Sequence, residues 1–411
     1  MAAAIQPTPP APAPPVHPLR ERNFRRLWLG AAVSLFGDQF YLVALPWVVL
    51  QQTGSAVAMG TILMTAAIPR AVLMLLGGAL TDRISPRKIM MSTASARTLF
   101  VGMIGVLLWF HVLHIWELYV LAFAFGVADA FGMPAGSAYL PSLVEPKQLV
   151  AANSAFQTMA QFTTIAGPAP AGIVIKILGA AWAFILDAIS FLFIIGALWK
   201  LPDPPVAKST TARPPMWKSI LDGFAYVHKD VPLRTLLLLI TVLNFCLTGP
   251  FAVGLPYLAK TRFGSATVLG LVLSAVAVGG LLGTLLAGVW KIHRRGILVL
   301  GVCTVLSTCL CFMGILNRLW ETMTLLGVVG AAAGMSNVHI VAWIQQRVEA
   351  AVRGRVMSVV ILSAYGLAPV SLAIAGFLIA WNFEYMFLLA GVAMLLVTAF
   401  GALQKTVREI Q

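Results

Sequence analysis

The chain has 411 residues, 60% of them hydrophobic and only 10% charged, with a mean hydropathy of +0.91. A soluble domain carries about 25% charged residues, so water does not solvate most of this surface and a soluble fold is excluded. The net charge of +14 invites a nucleic-acid partner, but the cations are sorted along the chain as membrane topology sorts them, and a polytopic helical membrane protein is the class that fits.

Residues 1–20, MAAAIQPTPPAPAPPVHPLR, are rich in Pro and Ala and lack an apolar core, which describes a disordered cytoplasmic tail rather than a secretory signal. Twelve apolar runs follow, at about 27–52, 56–81, 87–113, 115–139, 150–177, 180–201, 232–259, 265–291, 295–317, 319–345, 353–380 and 383–404. Each is near the ~20 residues that cross a hydrocarbon layer as a helix. Of the 28 Lys and Arg, 22 fall on the side of the N-terminus, against only Lys176, Lys260, Arg262 and Arg318 on the other. Cationic loops stay cytoplasmic, so both termini are expected there. Cys246, Cys303, Cys309 and Cys311 lie inside apolar runs and behave as small core residues.

Five acids and arginines fall well inside spans, away from their ends. Each costs about 2.5–3.5 kcal/mol near the bilayer centre on the insertion scale, so function is the default expectation. The first span carries Asp38 in SLFGDQFYLVALP, with Ser34 and Tyr41 on the same face; the second carries Arg70 and runs into GGALTDRISPRK, residues 77–88. Arg97 lies in the cytoplasmic half of the third span. Asp129 lies mid-way along the fourth, in FGVADAFGMPAG, flanked by Gly126, Gly132 and Gly136 on one face, which leaves room for a cavity or a neighbouring helix. The fifth span contains AGPAPAG, residues 166–172, and the sixth contains Asp187 toward its outer end.

The longest loop, 202–231, opens with LPDPPVAKSTTARPP and continues as MWKSILDGFAYVHK. Met216, Trp217, Ile220, Leu221 and Phe224 share a helical face there, as in an amphipathic helix lying in the cytoplasmic interface. Away from their ends, the seventh and tenth spans hold no acid but offer Asn244, Asn337 and His339. Asn337 and His339 point to nearly opposite helix faces; Asn337 is the one expected toward a cavity, and His339 is expected to be satisfied inside the bundle. Phe40, Phe131, Phe245, Phe251 and Trp343 supply candidate apolar walls.

The halves repeat each other. Pro46, Gly54-Ser55-Ala56, Gly60 and Gly78 recur 210 residues later as Pro256, Gly264-Ser265-Ala266, Gly270 and Gly288; Gly126, Glu145, Ser154 and Gly172 recur 204 residues later as Gly330, Glu349, Ser358 and Gly376. The expected fold is an all-α membrane protein of twelve transmembrane helices in two six-helix bundles: a tail over 1–20, a first bundle over 21–201, a linker over 202–231 and a second bundle over 232–411. Parallel six-plus-six repeats are a recurring transporter architecture.

GGALTDRISPRK resembles the signature between helices 2 and 3 of the major facilitator superfamily, matching at Gly78, Asp82, Arg83, Arg87 and Lys88 and departing at Ser85 and Pro86. RNFRRLW, ALPWVVLQQTGSA, LPSLVEPKQLVAANS and RGRVMS resemble the bacterial branch holding the enterobactin exporter and macrolide efflux proteins. Gly167, Pro168 and Gly172 resemble an antiporter motif, with Ala171 where that motif has glycine.

The resemblance implies that helices 1, 4, 7 and 10 line a central cavity and that the end of helix 2 meets helix 11 when the cytoplasmic side closes. Asp82 would then accept hydrogen bonds from the start of that helix and pair with Arg355. Such a contact is worth about 1–3 kcal/mol, enough to bias a two-state equilibrium about tenfold. Gly78, Arg83 and Arg97 are grouped with that latch, Arg97 supporting Asp82 or Asp129; Arg87 and Lys88 are expected mainly to hold the loop inside. Asp38 and Asp129 become the candidate proton-coupling acids, since carboxylates whose surroundings alternate between wet and dry can exchange protons. Arg70 would hold one of them ionised, the alternative being a permanent Asp–Arg bridge that only locks helices. Asp187, on a helix implied to be peripheral, is expected to make a structural hydrogen bond.

The expected function is export of a small amphipathic molecule, such as a drug, macrolide or siderophore-like compound, by proton antiport with alternating access. The alternatives are a uniporter or importer of a small metabolite or lipid-like substrate, or a non-transporting membrane scaffold. GxSxG, HExxH and Walker sequences are absent, so an enzyme is not expected. Protons are the only coupling partner expected, with no metal or other cofactor. The chain is expected to be monomeric in the bacterial cytoplasmic membrane, to contact lipid, and to bind no nucleic acid.

Overall fold

The structure, a computed structural model, describes residues 17–81, 83–204, 216–289 and 295–404. Among the described residues the secondary structure is helical throughout. The helices are α1 (Arg22–Thr53), α2 (Ala56–Thr81), α3 (Pro86–Trp109), α4 (Ile115–Tyr139), α5 (Leu149–Ala166), α6 (Pro168–Leu178), α7 (Ala180–Trp199), α8 (Met216–Lys229), α9 (Val231–Gly249), α10 (Leu255–Phe263), α11 (Ala266–Val289), α12 (Arg295–Met313), α13 (Leu319–Arg347), α14 (Ala350–Tyr365), α15 (Ala368–Trp381) and α16 (Phe383–Leu403). Among the described residues, eleven segments are long and apolar enough to cross a membrane, and the α5–α6 pair together is long enough for one more crossing.

Three crossings are broken, each at a proline that cannot donate a backbone hydrogen bond. Gly167 and Pro168 divide α5 from α6, Pro250 opens a π turn between α9 and α10, and α15 restarts with Pro369 in its first turn. Sharp reversals on the face away from the N-terminus use left-handed glycines: Gly54 (φ 63°) ends α1 and Gly264 (φ 59°) ends α10. These two are repeat partners, and each needs the conformation that a Cβ disfavours.

Helices α1–α7 form the first bundle, with α1 packed on α7, α2 on α4, and α3 on both α4 and α7. The second bundle repeats the pattern, with α11 on α13, α12 on α13 and α16, and α9 on α15 and α16. Large apolar side chains such as Val72, Phe162, Leu285 and Phe377 remain exposed, as a surface in contact with lipid requires.

The bundles meet toward the face away from the N-terminus, in two equivalent seams. In one, Gly60 of α2 lies against the Leu372 carbonyl of α15, and Gly376 lies against the Ala56 carbonyl; in the other, Gly270 of α11 lies against the Pro168 carbonyl of α6, and Gly172 lies against the Ala266 carbonyl. A Cβ on any of the four would overlap backbone. The offsets of 210 and 204 carry one seam onto the other residue by residue. The Thr267 hydroxyl donates to the Gly172 carbonyl (3.3 Å), and Lys260 stands over the Trp47 ring (4.9 Å) at the same face.

Candidate functional site

A cavity of about 460 Å³ lies inside the first bundle, in its half toward the N-terminus. Its walls come from α1, α3, α4, α5 and α7, with Ser137 and Asn153 exposed and Asp38, Arg97 and Asp129 half-buried in the lining. Helical spacing explains the lining. Ser34 and Asp38 are one turn apart on α1, as are Thr93 and Arg97 on α3, and Asn153 and Gln157 on α5. On α4, Gly132 and Gly136 open space beside Asp129, whereas Gly126 serves packing and lies against the Ala66 carbonyl of α2.

The charged groups converge on Asp129. Arg70 Nε reaches its Oδ2 at 2.6 Å from α2, and Arg97 closes on its Oδ1 from α3. The same Arg97 approaches Asp38 Oδ1 at 3.8 Å, beyond hydrogen-bond reach. Its guanidinium lies over Phe125 (5.1 Å) and Phe191 (5.4 Å), a shelf that attracts a cation through the ring quadrupoles. Asp129 is therefore clamped from two sides while Asp38 is held loosely by a shared partner. The buried atoms Asp38 Oδ1, Gln39 Oε1, Tyr41 OH, Arg97 Nε and Asp187 Oδ2 have no hydrogen-bond partner within the protein. Buried polar atoms are nearly always paired, so this concentration marks the site. Among the described residues, no group of three His, Cys, Asp or Glu side chains comes together to hold a metal ion.

Arg97 thus stands at the centre of the acid cluster, and its described partners are Asp129 and Asp38 rather than a contact between bundles. Asp187 is not peripheral: it is 0% exposed and packs against α1 at Gly37, where an added Cβ would overlap Ser190 Oγ and come within 2.8 Å of Asp187 Oδ1. The structural hydrogen bond expected there is weak, since Ser190 Oγ donates chiefly to the Asp187 carbonyl (2.7 Å) and lies 3.4 Å from Oδ1. Tyr41 does not line the cavity; its ring stacks on Phe125 (centroids 4.3 Å apart) beside it.

The expected walls from the second half do not line this cavity. Asn244 turns its amide back to the Ile240 carbonyl of its own helix (2.9 Å), and Asn337 is exposed. Trp343 is buried beneath Arg347 (5.2 Å), which pairs with Asp230 at 2.7 and 3.1 Å and so ties α13 to the start of α9. His339 is buried. Instead, α3 and α5 contribute Thr93, Phe156 and Gln157. The polar pair Asn153 and Gln157, one turn apart on an apolar span, was the available signal.

The motif residues separate into three groups. Asp82 lies outside the described residues, as do the surroundings of Gly78, and Arg83 is exposed. Arg355 pairs with Asp222 of the linker helix α8 (3.3 Å), and the next residue, Gly223, lies against the Arg355 carbonyl. Arg87 donates to the Leu198 and Trp199 carbonyls (2.7 and 3.2 Å), and Lys88 pairs with Asp203 (3.7 Å). These two cations therefore cap the exit of α7. Gly167 admits the Gln39 side chain of α1, while Pro168 and Gly172 form the seam with α11. On α8, Leu221 and Phe224 are exposed, whereas Val227 is buried.

The family model described as transmembrane secretion effector matches residues 13–411. The multidrug efflux pump Tap of Mycolicibacterium fortuitum is 29% identical over 398 residues, covering 91% of this chain and 93% of its own. Macrolide efflux protein A of Streptococcus pyogenes is 24% identical over 290 residues, covering 68% and 69%. Among solved structures, the nucleoside transporter NupG superposes with a TM-score of 0.77 at 13% identity, over 93% of this chain and 99% of that one.

Proposed function

The chain belongs to the transmembrane secretion effector family of major facilitator efflux transporters, and we propose that it exports a small amphipathic compound from the cytoplasm in exchange for protons. The observation that carries this reading is Asp129 held between Arg70 and Arg97 beside a cavity in the half of the first bundle toward the N-terminus.

Two guanidiniums match the negative charge of an ionised Asp129. A proton arriving on Asp129 or Asp38 removes the charge that holds Arg97, while the Phe125 and Phe191 rings, over which its guanidinium already lies, retain an attraction of about 0.5–2 kcal/mol for it. An amphipathic substrate entering between Phe156 and the polar wall of α5 would exclude water there and strengthen every charge interaction around it. Protonation and substrate occupancy thus act on the same ion cluster from opposite directions, which is what exchange requires.

The bundles are closed by glycine seams on the face away from the N-terminus, and the excess of cations on the N-terminal side supports a cytoplasmic position for that face. This conformer then corresponds to the cytoplasm-open state, and rocking about the seams exposes the cavity to the other side. The name of the Tap relative, a multidrug efflux pump, supports an amphipathic substrate selected by shape and apolar area.

Reconstituted protein tests the reading. An imposed pH gradient should drive accumulation of a lipophilic dye, and Asp129→Asn should abolish that drive. Gradient-driven transport by Asp129→Asn at the wild-type rate would remove the acid from the mechanism.

A further inference from the structure

The cluster holds three carboxyls but only two guanidiniums. Arg70 and Arg97 match Asp129 and Asp38 in charge, which leaves Asp187 without a counter-ion. It is 0% exposed, it does not line the cavity, and its Oδ2 has no hydrogen-bond partner within the protein. The groups that face it are few: Asp38 and Tyr41 from α1 and Arg97 from α3, with Ser190 on its own helix. The adjoining α6 carries only Lys176, which is exposed. Arg97 is already drawn to Asp129. An ionised third carboxylate would stand uncompensated in a dry site, a cost that buried acids escape by holding a proton.

The position is built. Gly37 lacks the Cβ that would overlap Ser190 Oγ and crowd Asp187 Oδ1, so α1 and α7 approach closely at the residue next to Asp38. Asp38 lines the cavity, and its Oδ1 is itself without a hydrogen-bond donor. One acid therefore sits at the wall of the cavity and a second sits directly behind the backbone that carries the first.

We propose that Asp187 is a second proton-carrying acid of the transport cycle: it holds a proton while Arg97 is engaged with Asp129, and passes that proton to Asp38 for release into the cavity. In each step one O–H bond breaks at Asp187 and one forms at Asp38, then the proton leaves Asp38 for water; no electrons move. When Arg97 swings away from Asp129, its charge becomes available to Asp38 and Asp187, and both can then stand ionised. The inference rests on the proton-antiport reading and adds a store that the cavity does not reach.

Difference infrared spectroscopy of the purified full chain in lipid tests it. The wild type should show a protonated-carboxyl C=O band that shifts in D2O and decreases on addition of a lipophilic dye. Asp187→Asn should lose that band, Asp187→Glu should restore one, and Asp38→Asn should keep the band but stop its decrease. Protons released per dye bound should fall about twofold in Asp187→Asn. If the asparagine variant does not fold, the wild-type band and its response in Asp38→Asn still decide the matter. A band that is absent from the wild type, persists in Asp187→Asn, or ignores the dye overturns the proposal. A wild type that transports dye without releasing protons overturns the antiport reading itself. Full release by both wild type and Asp187→Asn sinks only the Asp187 assignment.

Discussion

The two halves share one frame and differ in what they put into it. Gly126 of α4 lies against the Ala66 carbonyl, and its repeat partner Gly330 of α13 lies against the Val276 carbonyl, which is the repeat position of Ala66. Yet by the same offsets, Thr248 stands for Asp38, Gly280 for Arg70, and Ala333 for Asp129. Where α2 and α4 are bridged by Arg70 and Asp129, α11 and α13 close backbone on backbone, with Gly334 against the Gly280 carbonyl and Gly283 against the Ala331 carbonyl. A side-chain ion bridge can open without moving the helices; a glycine seam cannot. The first half thus adds to its glycine contact an ion pair whose partners can change, and the second is held by glycine contacts alone at the equivalent place.

Breaking the charged half should cost most. Arg97→Leu strands Asp38 and leaves Asp129 with one cation. Removal of one member of a buried pair costs about 3–5 kcal/mol, which thermal unfolding in detergent should register together with loss of gradient-driven export. Thr248→Val, at the equivalent of Asp38 in the neutral half, should change the same melt by less than about 1 kcal/mol.

The seams should respond alike in both halves. Gly172→Leu and Gly376→Leu each force a side chain into backbone of the opposite bundle, an overpacking of about 1–3 kcal/mol. Each should increase thiol labelling of a cysteine placed at position 267 or 57 by about tenfold. A large effect from one and none from the other would break the equivalence.

Smaller effects are expected at the linker. The Asp222–Arg355 pair is about two-fifths exposed on each side, so it is worth at most about 1 kcal/mol. Asp222→Asn should therefore shift labelling at the N-terminal face by no more than about fivefold. Smallest of all, Asn337→Ala and Trp343→Phe should leave dye affinity within about twofold, because neither residue touches the cavity; a tenfold loss measured by fluorescence titration would move the binding site into the second half.

The fold was legible because hydropathy, cation sorting and the glycine repeat are all recorded along the chain. Asp38, Arg70 and Asp129 were legible as well, because an ionisable residue within a span needs a reason. Direction around a helix was not. Arg97 was read from its depth in the third span and Asp187 from the expected peripheral position of its helix; Arg97 lies over Phe125 and Phe191, and Asp187 packs where Gly37 leaves room for it. Trp343 showed only an aromatic in a lining span; its burial under Arg347 depends on Asp230, more than a hundred residues away. The Asn153–Gln157 stripe is visible in the sequence but lies on the fifth span, outside helices 1, 4, 7 and 10 that the family resemblance marks as lining.

The most direct test of the account is proton release from purified protein on addition of a lipophilic dye, read by a pH indicator in weak buffer. The account predicts release by the wild type and none by the Asp38→Asn/Asp129→Asn double variant at equal dye occupancy. Equal release from both would contradict it.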